Sequence, residues 1–522
     1  MSTPSMTPDQ AIALAKEHTS RGNTAAAVGI YKNILAKSPH HKKAKKALKA
    51  LQKPEGKKSP DAFKTDMDAV LALYSEAKLD QALTQVKRLC KLHPDQPMPL
   101  NVMGTILAGL DKNEQAISAY KAALTLAPDY LDALNNLGSG LHIEGQHDQA
   151  IEAYRHLIAM NPNYADAYYN LGNVLYAADQ PAESVANYEK AVELRPGVAR
   201  SHIRLGLALK KLGRANAAMT SFRNALAIDP KRVDALEYMG DALKDEGLAS
   251  SAVSWYTDAI KLAPDYPSIH FKLGQVLLGL DRREEAIVAL ERNAALLPEF
   301  GQAEHFLAAA RGQQTSTAPT NYVSSLFDDY ATRFESHLVL SLEYDAPKKL
   351  RAMVNNEKLI PQPLLRAIDL GCGTGLCAVA FDGLYQSIDG IDLSSKMIAQ
   401  AGSKGLYNTL QLGPITTVLE SLKEDFNLFI AADTLVYIGD LNPVMGAISN
   451  QAAAGAVFAF STEHMDGSQY ELRATGRYAH SKDYIVECTK AAGFELVAYE
   501  ESNLRKESRG WITGGFYLMK KV

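Results

Sequence analysis

An aspartate and three glycines at alternate positions, Asp369, Gly371, Gly373 and Gly375, stand in the run AIDLGCGTG. The residues before the aspartate are apolar and read as a strand, and the glycines read as the turn that leaves it. Without Cβ atoms, glycines let the backbone bend sharply and come close to a ligand. At the carboxyl end of the first strand of a doubly wound sheet, such a loop lies where ligands of these sheets bind. The next apolar run also ends in an acid: Asp392, in GIDLS, follows Asp369 by 23 residues.

The dinucleotide fingerprint G-x-G-x-x-G is close to this pattern but needs glycine at position 376, where the chain has Leu376. The mismatch points away from a nicotinamide cofactor. The run resembles instead motif I of the class I S-adenosylmethionine (SAM) methyltransferases. The resemblance implies that Gly371, Cys372, Gly373 and Gly375 lie against the methionine half of SAM and that Asp369 holds its ammonium, often through water. It implies that Asp392, with Leu393 beside it, accepts both ribose hydroxyls, which a carboxylate can do through its two oxygens. Cys372 reads as a small filler of the loop rather than a nucleophile.

The resemblance extends over the last 200 or so residues. FDDYATRFESH, at 327–337, resembles the F-D-x-Y-A leading helix of quinone-type and related small methyltransferases. In that family the tyrosine, here Tyr330, reaches the cofactor. Asp433, in FIAADTLVYIGDL, matches the family's motif IV beside the methyl group; Tyr437 and Asp440 follow on the same loop, and Tyr437 is a catalytic candidate. One position departs from the pattern. Many relatives carry an acid after the third strand that bonds the adenine amino group, whereas LQLGPIT places Gly413 and Pro414 there. Adenine recognition is therefore expected to use backbone groups, or else the affinity is lower.

The implied reaction is methyl transfer, with S-adenosylhomocysteine (SAH) as product. It is an in-line displacement at a cationic sulfonium, so alignment of nucleophile and methyl group supplies much of the acceleration. An amine or hydroxyl acceptor also needs a group to take its proton. His337, His464 and His480 are candidates, and His480, in GRYAHS, is the foremost catalytic one.

These residues need a sheet to hold them. Strand-like runs lie near Leu365, Ser387, Leu410, Leu428 and Val457 with helical segments between, and two more near Glu495 and Ile512 follow. That is the α/β pattern of a mainly parallel sheet. WITGGFYLM, at 511–519, fits the antiparallel seventh strand that closes the family's sheet. GQQTSTAPT, at 312–320, is short and polar with a proline and reads as a linker, which places the catalytic domain at 321–522.

The first 311 residues repeat. Prolines fall every 34 residues from Pro94 to Pro298, the period of the tetratricopeptide repeat (TPR). Glycines keep the register from Gly104 to Gly274, and each is followed 16 residues later by an apolar, mostly aromatic residue such as Tyr120, Tyr154 and Tyr256. Two weaker repeats precede these six, giving about eight. A helix at 302–311 would cap the last apolar face, as solenoids require. The expected fold is an α-solenoid, a TPR superhelix, followed by an α/β Rossmann-like class I methyltransferase domain. HKKAKKALKALQKPEGKK, at 41–58, reads as a solvated helix and linker rather than a basic binding patch.

TPR arrays bind along a concave groove lined by the first helix of each repeat. Asn136, Asn170, Arg204 and Tyr238 stand two residues before ladder glycines and are the expected substrate-binding positions. Asn136 and Asn170 resemble the asparagine ladder of the O-linked N-acetylglucosamine transferase TPRs, whose amides bond the backbone of an extended peptide.

A formal net charge of -4 argues against an electrostatic nucleic-acid role. Four scattered cysteines lack metal-ligand spacing and imply reduced thiols in a cytoplasmic setting. No run approaches the length of a membrane span, and MSTPSMTPDQ has no signal-peptide character. The expected function is a SAM-dependent methyltransferase whose TPRs recruit a protein or peptide for side-chain methylation. A small-molecule or glycan methyltransferase that docks on a partner complex is the alternative, and a SAM-binding scaffold without catalysis is a third reading. Oligomeric state is open.

Overall fold

Each ladder proline stands two residues after a helix end: Leu92, Leu126, Met160, Leu194, Ile228, Leu262 and Leu296 precede Pro94 through Pro298. The residue before a proline is pushed out of the α region, so the helix stops there. The computed structural model describes residues 6–20, 23–51, 60–298, 301–331, 334–335, 338–339, 342–359, 365–423, 425–507 and 510–522. Two compact units divide the chain, Met1–Ala208 and Leu209–Val522.

In the first unit, helix pairs such as Leu131–Ile143 with His147–Met160 and Ala165–Ala177 with Pro181–Leu194 form the repeats. The 16-residue offset between glycine and aromatic is a contact. A Cβ on Gly138 would lie 2.6 Å from the ring of buried Tyr154. Only glycine lets the two helices of the repeat approach that closely. The lysine-rich stretch forms helix Lys42–Leu51, and its end at 52–58 lies outside the described residues.

In the second unit the pattern continues through Val233–Asp245 with Ala249–Leu262 and Pro267–Gly279 with Arg283–Leu296, followed by the helix Gln302–Arg311. There, a Cβ on Gly240 would lie 2.5 Å from the Tyr256 ring.

The sheet of the second unit comprises β1 (Leu365–Leu370), β2 (Tyr385–Asp392), β3 (Thr409–Leu412), β4 (Phe426–Ala431), β5 (Ala452–His464), β6 (Tyr470–Leu472), β7 (Tyr478–His480), β8 (Phe494–Glu507) and β9 (Gly510–Lys521). Its order is β3-β2-β1-β4-β5-β7-β6, with β9 antiparallel to both β5 and β8. Strands β3, β2, β1, β4 and β5 are parallel neighbours. Ala367, Ile368 and Leu370 are fully buried, as befits a central strand covered on both faces. The chain reverses direction across the sheet between β1 and β4, which makes the crevice at their carboxyl ends the switch point where ligands bind.

Two features differ from the sequence expectation. Strands β6 and β7 form a short hairpin that apolar periodicity does not announce, because each is only three residues long. The stretch 312–320 is not a free linker. Ala318 donates to the Tyr437 carbonyl at 2.9 Å, and the Ser316 carbonyl accepts from Gly439 and Asp440, both at 2.9 Å. Gln314 accepts from the Leu472 amide at 3.1 Å, and Thr315 meets the Tyr478 hydroxyl. The preceding helix joins in: His305 Nε2 bonds the Gly476 carbonyl at 2.9 Å. The stretch is a strap on the sheet domain.

Candidate functional site

Gly371, Gly373 and Gly375 all adopt positive φ, at 74°, 53° and 91°. L-residues with a Cβ disfavour that region, so the alternate glycines are what allows the turn. The amides of Gly371 and Cys372 both donate to the Ile391 carbonyl, at 2.8 and 2.9 Å, which ties the loop after β1 to the end of β2. Gly371 and Gly373 enter the wall of a cavity of about 570 Å³, while Gly375 caps the helix Leu376–Ala380. Cys372 also lines the wall; burial raises its thiol pKa, which fits a filler.

Asp392 lines the cavity beside Leu393. Its Oδ2 accepts from the Gly373 amide and its Oδ1 from the Ser394 amide, both at 2.8 Å. Each oxygen keeps a second lone pair, so a hydroxyl can approach each. Burial raises the Asp392 pKa, against the opposing pull of these amides.

Asp369 stands elsewhere than expected. It is fully buried beneath the loop, outside the cavity wall, and its Oδ2 accepts from the Tyr407 hydroxyl at 2.7 Å. Its charge would reach a cation in the cavity across the loop rather than by contact. Oδ1 has no hydrogen-bond partner among the described residues apart from the weak thiol donor of Cys377. Burial pushes the carboxyl up to about 7, with Tyr407 opposing and the charge of Asp392 adding to the rise.

Gly413, Pro414, Ile415 and Thr416 also line the wall. On the other side Val323, Leu326, Phe327 and Tyr330 of the helix Thr320–Tyr330 line the cavity. Tyr330 packs edge-on against Phe334 with ring centroids 5.3 Å apart. Asp328 on the same helix accepts from Ser394 Oγ at 2.5 Å and so pins the helix to the end of β2. Ser316, Thr317, Ala318 and Thr320 of the strap close the same side.

Asp433, Tyr437 and Asp440 also line the cavity, and Thr434 Oγ1, next to Asp433, donates to the Gly371 carbonyl at 3.4 Å. Asp433 has φ 57°, a conformation rare for a non-glycine residue, and its amide donates to Ser461 Oγ at 2.9 Å. Its carboxylate accepts from Arg505 at 2.5 Å. Burial raises its pKa while Arg505 and Arg477 oppose the rise. Arg505 is 2 % exposed and also bonds Glu463 and Glu507. Arg477 donates to Glu507 at 2.5 Å and lies 3.6 Å from Glu463. Both arginines line the cavity. Sequence reasoning missed them because their partners lie on β5 and β8, far apart in the chain; a buried charge in a strand as apolar as VFAFSTEH was the available signal.

The histidine expectations require correction. His480 is fully buried at the end of β7, outside the wall. Its Nε2 donates to the carbonyls of Ile438 and Gly439 at 2.9 and 3.2 Å, and burial drives its pKa down to about 4. It positions the loop that carries Tyr437 and has no path to a substrate proton. His464 also lies outside the wall, 3.3 Å from the Tyr499 hydroxyl, and His337 is outside the described residues. Among the described residues the wall contains no histidine and no lysine.

In the repeats, Asn136 donates to Asn101 at 3.0 Å and Asn170 to Asn135 at 2.9 Å, so the amides first bond across neighbouring repeats. Each keeps its own carbonyl oxygen for another partner. Arg204 is exposed, and the Tyr238 ring packs 5.7 Å from that of Phe222.

Residues 362–502 match the family model described as a methyltransferase domain. Residues 141–179 and 240–281 match a TPR repeat model, and further tetratricopeptide repeat matches fall at 100–130, 165–197 and 199–232. The chain is 24% identical over 155 residues to a ubiquinone biosynthesis O-methyltransferase of Rhodopseudomonas palustris, covering 27% of this chain and 61% of that protein. A protein of the same description from Brucella ovis is 26% identical over 153 residues, covering 27% and 62%. The chain thus spans about six tenths of the length of these curated relatives. Among solved structures, a crystal structure of MamA is 28% identical with a TM-score of 0.30, covering 31% of this chain and 94% of that one. No helix among the described residues is long and apolar enough to cross a membrane. The chain joins a solenoid of tetratricopeptide repeats to a Rossmann-like methyltransferase domain.

Proposed function

We propose that the protein transfers the methyl group of SAM to a side chain of a protein or peptide recruited by its repeats. The observation that carries this reading is the cavity, whose wall holds the Gly371–Gly373 loop, Asp392 and, against Gly371, the Asp433 loop. Bound SAM supplies a methyl group on a positively charged sulfur. Asp392 holds the ribose hydroxyls, Gly371 and Gly373 accommodate the methionine half, and Gly413 to Thr416 face the adenine. Asp369, beneath the loop, favours the ammonium. Leu326, Phe327 and Val323 exclude water, and Tyr437 with Asp433 frames the acceptor. Since displacement depends on alignment, this rigid framing is the protein's main contribution. The strap supports recruitment, because it leads from the helix Gln302–Arg311 directly into the cavity wall.

A second reading, a small-molecule acceptor with the repeats used for docking, is favoured by the size of the cavity, which is that of a small-ligand site. The two are separated by incubating the full chain with methyl-labelled SAM and a cell extract, then fractionating by mass. Label on protein supports recruitment; label confined to small molecules overturns it.

A further inference from the structure

The cavity wall includes two arginines beside Asp433 and, among the described residues, no histidine or lysine. Arg505 is engaged through all three nitrogens: Nη1 bonds Asp433, Nη2 bonds Glu463 and Nε bonds Glu507. Arg477 is not. Its hydrogen bond to Glu507 and its ion pair with Glu463 both run through Nη1, and no hydrogen bond from Nε or Nη2 is found among the described residues. The side chain is 26% exposed and lines the cavity with Tyr437. A guanidinium edge with parallel N–H groups matches a carboxylate in two-pronged fashion.

Two carboxylates stand nearby, and the hydrogen bonds found to Asp440 reach only its Oδ1. Asp433 pairs with Arg505, and Asp440 accepts from Asn442 and the Tyr484 hydroxyl. Around the arginines, Asp433, Glu463 and Glu507 balance Arg473, Arg477 and Arg505, three against three. Asp440, also in the wall, adds one more acid, which matches the positive charge that the donor's sulfonium would bring. An amine or hydroxyl acceptor would need a base here. A carboxylate would arrive ionised and would need none.

We infer that the methyl acceptor is a carboxylate, on a side chain or chain end of the recruited peptide, held by Arg477 and converted to a methyl ester. This rests on the SAM-dependent reading above. In the step, a carboxylate oxygen forms the new C–O bond as the S–CH3 bond breaks. The electron pair of that bond stays on sulfur, giving neutral sulfide in SAH, and no proton moves. Arg477 is a specificity-determining residue, and the strap and Tyr437 stand beside it at the mouth of the same space.

The test uses the full chain saturated with SAH, with benzoate as a carboxylate probe and benzamide as its neutral isostere, both followed by ligand-observed NMR. Benzoate should bind at least ten-fold more tightly than benzamide. Arg477→Met should weaken benzoate about ten-fold or more, leave benzamide and SAH within two-fold, and be partly rescued by Arg477→Lys. Equal binding of the two probes, or benzoate binding indifferent to Arg477→Met, overturns the inference while SAH binding stands. Failure of SAH itself to bind, with benzoate still captured through Arg477, overturns the SAM reading and with it the methyl ester, leaving only an anion site.

Discussion

The Gly373 amide donates to the Asp392 carboxylate at 2.8 Å, so the residue that would hold a ribose also holds the glycine loop in place. Ser394 donates to the other oxygen of the same carboxylate. Asp392→Ala removes both acceptors. Each orphaned buried donor costs about 1–3 kcal/mol, so denaturant unfolding of the ligand-free protein should show a loss of about 2–6 kcal/mol. Asp392→Asn, which keeps one acceptor, should lose less. Equal stability of all three proteins would contradict this link.

The strap and last helix are held against the sheet domain at Gly476, whose φ is 74° and whose carbonyl accepts from His305. A Cβ there would lie 2.7 Å from the Phe306 ring. Gly476→Ala should destabilise the protein by about 1–2 kcal/mol from the left-handed backbone alone, with the clash adding to it. Adding Phe306→Leu should recover the clash component and leave the backbone part.

Arg505→Met would leave Asp433 and Glu463 buried without their main cation. Breaking one partner of a buried charge network costs about 3–5 kcal/mol, so a fall of that size in unfolding free energy is expected. A loss below 1 kcal/mol, roughly the level of a surface ion pair, would mean the network is weaker than its burial implies.

Asp369 sets a pH dependence. Its carboxyl is raised to about 7 from an ordinary value of 3.8, mainly by burial. The folded state therefore holds a proton that the unfolded state has released, and the stability it contributes is present below about pH 4 and lost as pH rises through about 7. A cation bound at the loop favours the ionised form. SAH should bind with proton release at pH 6, and its affinity should climb until about pH 7 and then level off. Calorimetry in buffers of different ionisation enthalpy measures the released proton, and Asp369→Asn should abolish it.

The repeats were legible because their signal is redundant: glycine, aromatic and proline recur at one period, and the Gly138–Tyr154 contact explains the offset between two of them. The glycine loop and Asp392 were legible because a tight turn needs residues of a particular kind at particular spacings. Asp369 was found, but its burial beneath the loop was not, since spacing does not say which side of a turn a side chain takes. His480 misled because a histidine in a loop-like sequence looks exposed; the β6–β7 hairpin that buries it is too short to register. Arg477 and Arg505 were invisible because their acidic partners come from separate strands, and only the folded sheet brings them together.

The central claim is that the cavity beside Asp392 takes a SAM-like ligand. Isothermal calorimetry of the full chain with SAH tests it directly. One site per chain is expected, weakened about ten-fold or more in Asp392→Ala, since each lost hydrogen bond to a charged group is worth about 1.5–3 kcal/mol. Undetectable binding to the intact chain, or binding unaffected by Asp392→Ala, would contradict the account.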